Sequence, residues 1–318
     1  MILFNKNEIA NIDQAVIQGA VEKAYRLMLE EDFNMPDRMH VSDGENMLLL
    51  MPCFSRDYFA TKLVSVFPGA PQGGMPVVNG VVVLNDNATG QPLAMMDGAS
   101  LTAQRTGAVG GLAVNLLAPD SIETAGVLGA GVQGYQQARY LLFNRPVKTL
   151  FLCDLNPEAA RAMGRQLTAE FPSVSVEICD TAKALVDSSR VVIAATTSTS
   201  PVFEADSETV RGKLFISIGS FRPDMKEFPD AVIETADQVY ADTLFACKES
   251  GDIAIPLREN RVDEKKIAPF AQLLASGRPD PEQTLFFKSV GMALFDLATA
   301  IAVYTLSKSE NLGQQFDL

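Results

Sequence analysis

The sequence predicts an α/β protein in which a doubly wound parallel sheet follows a separate, largely antiparallel α+β region. Three observations carry this expectation. Short uncharged apolar runs alternate with helical patterns from residue 120 onward, a glycine-rich turn links the first run to the first helix, and the preceding residues hold several strand-like runs separated by turns.

Residues 13–31 read as a helix with Val16, Ala20, Val21, Ala24, Leu27 and Met28 on one stripe. The runs "MLLLMPCF", "YFATKLVSVF", "VVNGVVVLND" and "QPLAMMDG" follow as strands, the last two joined by a hairpin turn at Asn87-Ala88-Thr89-Gly90. Two cations in this region are oddly placed. Lys62 shares a strand face with Ala60, Val64 and Val66. A lysine there either meets an anion or lays its stem on the core and lifts its ammonium to water. Arg105, in the helical pattern "SLTAQRTGAVGGLAVNLL", falls with Leu101, Val109, Leu112 and Leu116. Its guanidinium therefore emerges on a packed face, where an internal carboxylate or a bound anion must meet it. A bidentate fork suits a substrate carboxylate. Gly107, Gly110 and Gly111 imply that this helix runs close to another backbone.

A helix end at Ala118-Pro119-Asp120 sets the expected boundary, giving a first domain of residues 1–119 plus 285–318 and a second of residues 120–284. The second opens on a short apolar strand, 125–128, and a helix through Val132, Gln136, Arg139, Tyr140 and Phe143 that Pro146 closes. Glycines alone would mark only a turn, but here Gly129, Gly131 and Gly134 sit between strand and helix with the GxGxxG spacing, Val132 and Gln133 completing the turn. Gly129 permits the tight turn, Gly131 lets backbone approach a pyrophosphate, and Gly134 allows helix to pack on strand. The next strand, 150–153, leads into Asp154, twenty residues after Gly134, which is the spacing of an acid that binds ribose hydroxyls. A carboxylate there repels a 2'-phosphate, and no arginine follows within Leu155-Asn156-Pro157, so NAD(H) is favoured over NADP(H) as cofactor. Asn156 and Pro157 start an amphipathic helix through Ala160, Met163, Gly164, Leu167 and Phe171. The strand "SVSVEIC", a capped helix from Thr181, and the strands "RVVIAAT" and "KLFISIG" continue the alternation. In such a sheet the ligand lies beyond the carboxyl ends of the strands, where Gly129, Asp154, Thr196, Thr197 and Ser220 fall.

A net charge of −13 argues against nucleic acid and anionic membranes as partners and leaves small molecules. Cys53, Cys153, Cys179 and Cys247 lie far apart without a CxxC pair, so reduced thiols are expected, and with the single His40 they make no metal-binding spacing, so no metal is expected. The N-terminus lacks the basic and apolar regions of a signal peptide, which makes a cytoplasmic location the expectation. The apolar run 290–306 holds Asp296, Thr299 and Thr305 and reads as a buried helix rather than a membrane span, with Asp296 as a capping or buried hydrogen-bonding group or, alternatively, a group near the nicotinamide or ribose.

"MMDGASLTAQRTGA", "GVLGAGVQG", "ISIGSFRPDMKEF", "ACKESGDI" and "FKSVGMALFD", in this order, resemble the ornithine cyclodeaminase and mu-crystallin family over almost the whole chain. The resemblance implies a dimerising substrate domain and a Rossmann-type domain, a homodimer, and a nicotinamide cofactor bound beside a small amino or imino acid. It also implies that Arg38, Lys62 and Arg105 clasp the substrate carboxylate. Two departures bear on the reaction. Phe221 stands in the loop where cyclodeaminases of the family carry an aspartate, and Leu49 and Leu50 precede Met51-Pro52 where they carry a glutamate. Without those carboxylates a second, cationic amine lacks a partner. "GSFRPD" and "CKESGD" look instead like the ketimine reductase branch, while Asp154 departs from its NADP-preferring members.

The leading expectation is therefore NAD(P)H-dependent reduction of a small cyclic ketimine carboxylate, Δ1-pyrroline-2-carboxylate or Δ1-piperideine-2-carboxylate, to the L-imino acid. Lys62, or water held by it, would keep the imine nitrogen protonated, and residues near Leu49, Leu50 and Phe221 would wall the ring. Ornithine cyclodeaminase, alanine or N-alkyl amino acid dehydrogenase, and a non-catalytic dinucleotide-binding protein are the alternatives.

Overall fold

A computed structural model describes residues 1–317 and divides the chain into two compact units, Met1–Arg105 with the chain from Gly291 onward, and Thr106–Val290. The first unit is built on a seven-stranded sheet in the order Gln314–Gln315, Ile2–Phe4, Pro92–Asp97, Val78–Asp86, Tyr58–Val66, Asn46–Phe54 and Met39–Asp43. Only Ile2–Phe4 and Pro92–Asp97 run parallel. The four expected strands are all present. The other three are too short for a hydrophobic period to register, and pairing alone makes them strands.

Helix Gln14–Glu30, capped by the Asp13 side chain on Ala15 N, buries Ile17, Ala20, Val21, Ala24 and Tyr25. That stripe is turned slightly from the one expected: Ile17 and Tyr25 are buried while Val16, Leu27 and Met28 are half-buried, and where the helix packs on helix Ala293–Leu306 the Tyr25 and Phe295 rings meet edge to face at 5.0 Å. Helix Ala293–Leu306 in turn packs on strand Tyr58–Val66. Its first two turns, 293–300, are buried all round, Asp296 and Thr299 included, and only from Ile301 onward does the helix reach solvent. Among the described residues no helix is long and apolar enough to cross a membrane.

The second unit holds eight strands, all parallel, in the order Ile267–Pro269, Gln238–Ala241, Leu285–Lys288, Leu214–Ser217, Val191–Ala194, Thr124–Leu128, Thr149–Cys153 and Ser175–Ile178. The chain winds outward from Thr124–Leu128 to Ser175–Ile178, then returns to lay Val191–Ala194 against the opposite side of Thr124–Leu128. The order reverses there, opening a crevice at the carboxyl ends of those two strands. The strands nearest this point are buried on both faces, which is why they read as uninterrupted apolar runs.

Two sequence expectations are revised. The sequence puts the return to the first region at residue 285, yet Leu285–Lys288 is a strand within the parallel sheet, between Gln238–Ala241 and Leu214–Ser217, and the division falls after Val290. "TLFFK" is a run too short for its apolar pattern to separate strand from helix, and sheet pairing decides it. The other division falls inside helix Gly98–Leu117 rather than at Pro119, because its second half packs on helix Val132–Asn144. The glycines make that contact: a Cβ on Gly107 would lie 2.6 Å from the Tyr140 ring and one on Gly110 would lie 1.7 Å from Gln137 Oε1. The close approach is thus to side chains, not to another backbone.

Candidate active site

In the first unit the oddly placed cations meet. Lys62 (4 % exposed) and Arg105 (5 %) converge on Asp296 (0 %), with Lys62 Nζ 2.7 Å from Oδ2 and Arg105 Nε 3.0 Å from Oδ1. The internal carboxylate that Arg105 demanded is therefore Asp296, contributed from 191 residues away. Alternation along Tyr58–Val66 aims Lys62 at helix Ala293–Leu306, and the first turn of that helix presents Asp296. Gly291 (φ 71°) leaves room for the guanidinium, since a Cβ there would lie 2.5 Å from Arg105 Nη1. Half-buried Arg38 donates from Nη2 to Gly291 O at 2.9 Å. Burial pulls the Lys62 pKa down to about 8; Asp296 opposes that shift, while the charges of Arg105 and Arg38 add to it. Two buried cations thus share one carboxylate, and Arg38 lies near enough for its charge to act on Lys62.

Leu49 lies on the Lys62 face, paired with His40 and Val64, whereas Leu50 pairs with Met39 and Leu63 on the opposite face. Adjacent residues of a strand cannot share a wall, so Leu50 leaves the expected ring pocket. Phe221 is exposed in the loop after Leu214–Ser217.

In the second unit Gly129 adopts φ 96°, and a Cβ on Gly134 would lie 1.8 Å from Gly129 O, so both positions require glycine for the turn itself. Gly131 is exposed with nothing within 4 Å of where its Cβ would be, and Val132 is 69 % exposed. The backbone is therefore open at the start of helix Val132–Asn144, as an anion-binding helix terminus needs. Gln133 is half-buried, and its Oε1 finds no hydrogen-bond partner among the described residues. Asp154 follows the carboxyl end of Thr149–Cys153, where Oδ2 accepts from Ala130 N and Oδ1 from Asn156 N, both at 2.7 Å. One further lone pair on each oxygen is left to accept from hydroxyls.

Thr196, Thr197 and Ser220 lie just past the carboxyl ends of Val191–Ala194 and Leu214–Ser217. Thr197 is exposed. The amides of Thr196 and Ser220 turn inward to the buried Glu227 carboxylate, and the Ser220 hydroxyl donates to Met225 O while lying 2.7 Å from Ser250 Oγ. Burial raises the Glu227 carboxyl, and the nearby Lys288 charge pulls it back. Sequence reasoning missed Glu227 and understated Asp296. The Asp296 partnership had a signal, since an acid inside the most apolar helix and two cations on apolar faces each need a partner.

A doubly wound parallel sheet with this glycine turn defines a protein of the dinucleotide-binding α/β class. Residues 5–311 match the ornithine cyclodeaminase/mu-crystallin family, and the chain belongs to it. It is 30 % identical over 323 residues to a Δ1-pyrroline-2-carboxylate reductase of Bacillus cereus, covering 99 % of this chain and 96 % of that one. The solved structure of Thermococcus litoralis Δ1-pyrroline-2-carboxylate reductase in complex with NADH and L-proline superposes with a TM-score of 0.91 at 29 % identity, over 99 % of this chain and 100 % of that one. An archaeal alanine dehydrogenase dimer with bound NAD gives 0.90 at 26 % identity, over 100 % of this chain and 99 % of the other.

Proposed function

We propose that this protein reduces a small cyclic ketimine carboxylate, Δ1-pyrroline-2-carboxylate or its six-membered homologue, to the L-imino acid with NADH. The observation that carries the reading is the buried cation cluster: Lys62 and Arg105 share the single carboxylate of Asp296, and the excess of positive charge is one that a substrate carboxylate offsets. The relatives' named activities supply the reaction class. NADH, when bound, supplies the reducing hydride. Gly129, Gly131, Val132, Gln133 and Gly134 would hold its pyrophosphate and Asp154 its ribose, with Thr196, Thr197 and Ser220 lining the same end of the sheet. Arg105, Arg38 and Lys62 orient the substrate carboxylate. Lys62 Nζ, with its pKa lowered to about 8, holds the proton that keeps the imine nitrogen cationic while the adjacent carbon is reduced.

The test follows NADH absorbance with Δ1-pyrroline-2-carboxylate, in parallel with L-ornithine and NAD for ammonia release and with pyruvate, ammonia and NADH for alanine. Rapid oxidation in the first assay, with NADPH a poor substitute, is the expected result. Ammonia release from ornithine would overturn the reading, although neither Leu49 nor Phe221 offers a second amine a carboxylate. Faster turnover with pyruvate and ammonia would favour amino acid dehydrogenation.

A homodimer belongs to the same proposal. On the face of the seven-stranded sheet opposite Lys62, Met39 is 57 %, Val41 48 % and Leu63 41 % exposed, and Leu48, Leu50 and Val81 continue the patch. An apolar sheet face of that extent calls for a partner surface. A second copy fits, since the archaeal relative is a dimer. Leu63→Glu is expected to convert the dimer to a monomer in light scattering; a monomeric wild type would overturn this assignment.

A further inference from the structure

Three motifs, "KEF", "SGD" and "FKS", belong to neither the cation cluster nor the glycine turn, yet they meet in one buried network of the second unit. Glu227 is fully buried. Its Oε1 accepts from Thr196 N at 2.6 Å and Thr196 Oγ1 at 2.9 Å, and its Oε2 from Gly219 N at 2.8 Å, Ser220 N at 3.1 Å and the Ser217 hydroxyl at 2.8 Å. Asp252 fixes Glu227 in turn, accepting from Glu227 N at 2.8 Å and Phe228 N at 3.0 Å. Lys288 donates to Ser217 Oγ at 2.8 Å.

The amide donors on Glu227 come from two loops that leave adjacent strands, Val191–Ala194 and Leu214–Ser217, beside the crevice. In a trans peptide the carbonyl points opposite its N–H. Drawing Thr196 N inward therefore turns Ala195 O outward, and that oxygen is the atom a Cβ on Gly129 would meet, at 2.7 Å. The second loop packs as closely: a Cβ on Gly219 would lie 1.9 Å from Thr196 O. One carboxylate thus sets the peptide orientation of both loops, and through Ala195 it bears on the glycine turn.

We propose that Glu227 is a positioning residue for the dinucleotide, acting through the 195–196, 218–219 and 219–220 peptides to hold the two loops in the shape that seats the nicotinamide half. This rests on the cofactor reading above, so the test measures NADH binding by fluorescence titration without any imino acid. Glu227→Gln keeps the shape but sets an NH2 group against inward N–H donors, and is expected to weaken NADH binding roughly tenfold or more. Ser217→Ala removes one hydroxyl contact of Glu227, together with those to Asp252 and Lys288, but keeps the Glu227 carboxylate and its bonds to the loop amides, and should give a smaller loss in a folded protein. Val192→Ala, a core change on the neighbouring strand, should lower Tm and leave NADH affinity unaltered. Wild-type affinity in Glu227→Gln and Ser217→Ala, or an equal loss in Val192→Ala, would overturn the positioning role alone. A wild-type protein that binds no NADH would overturn the cofactor reading with it.

Discussion

Replacing Asp296 by asparagine is expected to lower kcat/KM for the imino acid by about two to three orders of magnitude while the protein stays folded. The carboxylate lies 2.7 Å from Lys62 Nζ and 3.0 Å from Arg105 Nε, all three groups being nine-tenths buried or more. Removing one partner from a buried ion pair costs roughly 3–5 kcal/mol, because the remaining charge is left without compensation. Asparagine also offers an NH2 group to one of the two cations. Lys62 then loses the interaction that raises its pKa, and both cations lose the anchor that aims them. The loss should fall on imino acid kinetics and spare NADH binding, whose residues lie in the other unit. Circular dichroism and Tm separate it from unfolding. Wild-type kcat/KM in a folded Asp296→Asn would remove Asp296 and its two cations from the mechanism.

Activity is expected to fall as pH rises through about 8, and Lys62→Arg should abolish that limb. Burial disfavours the charged ammonium, so its folded pKa lies at about 8, below the ordinary 10.5. Below pH 8 the proton and the charge that binds carboxylate are present, and above it both are lost. Stability moves the other way. Between pH 8 and 10.5 the unfolded lysine binds the proton that the folded one has released, so this group's contribution to folding stability rises with pH. A fall in kcat/KM with no fall in Tm over that window therefore marks titration at the site and not denaturation. Arginine keeps a positive charge through the whole range but cannot yield a proton, so Lys62→Arg should show much reduced kcat and a flat profile. An unchanged alkaline limb in Lys62→Arg would assign the titration to another group.

Much of this protein was legible from sequence because the decisive features are local. The parallel sheet follows from short apolar runs alternating with capped helices, and the glycine turn follows from backbone sterics: Gly129 needs a positive φ, Gly134 has no room for a side chain, and Asp154 comes at the end of the next strand. The packed face of Arg105 was likewise written in the period of one helix, whereas the period of its strand left Lys62 open between a buried anion and water. What answers a buried charge is not local. Asp296 lies 191 residues from Arg105 in sequence, and no period links a strand, a helix start and a second helix across that distance. Leu285–Lys288 shows the same limit in the fold, since a run of four apolar and charged residues becomes a strand only through the neighbours it pairs with. Glu227 gave no signal of its own, because a surface glutamate and one that gathers two loops look identical in sequence. Spacing along the chain determined the sheet, its turn and the packed face of Arg105; only tertiary packing decided that Lys62 is buried and which carboxylate answers both cations, because a buried charge is compensated through space and not along the backbone.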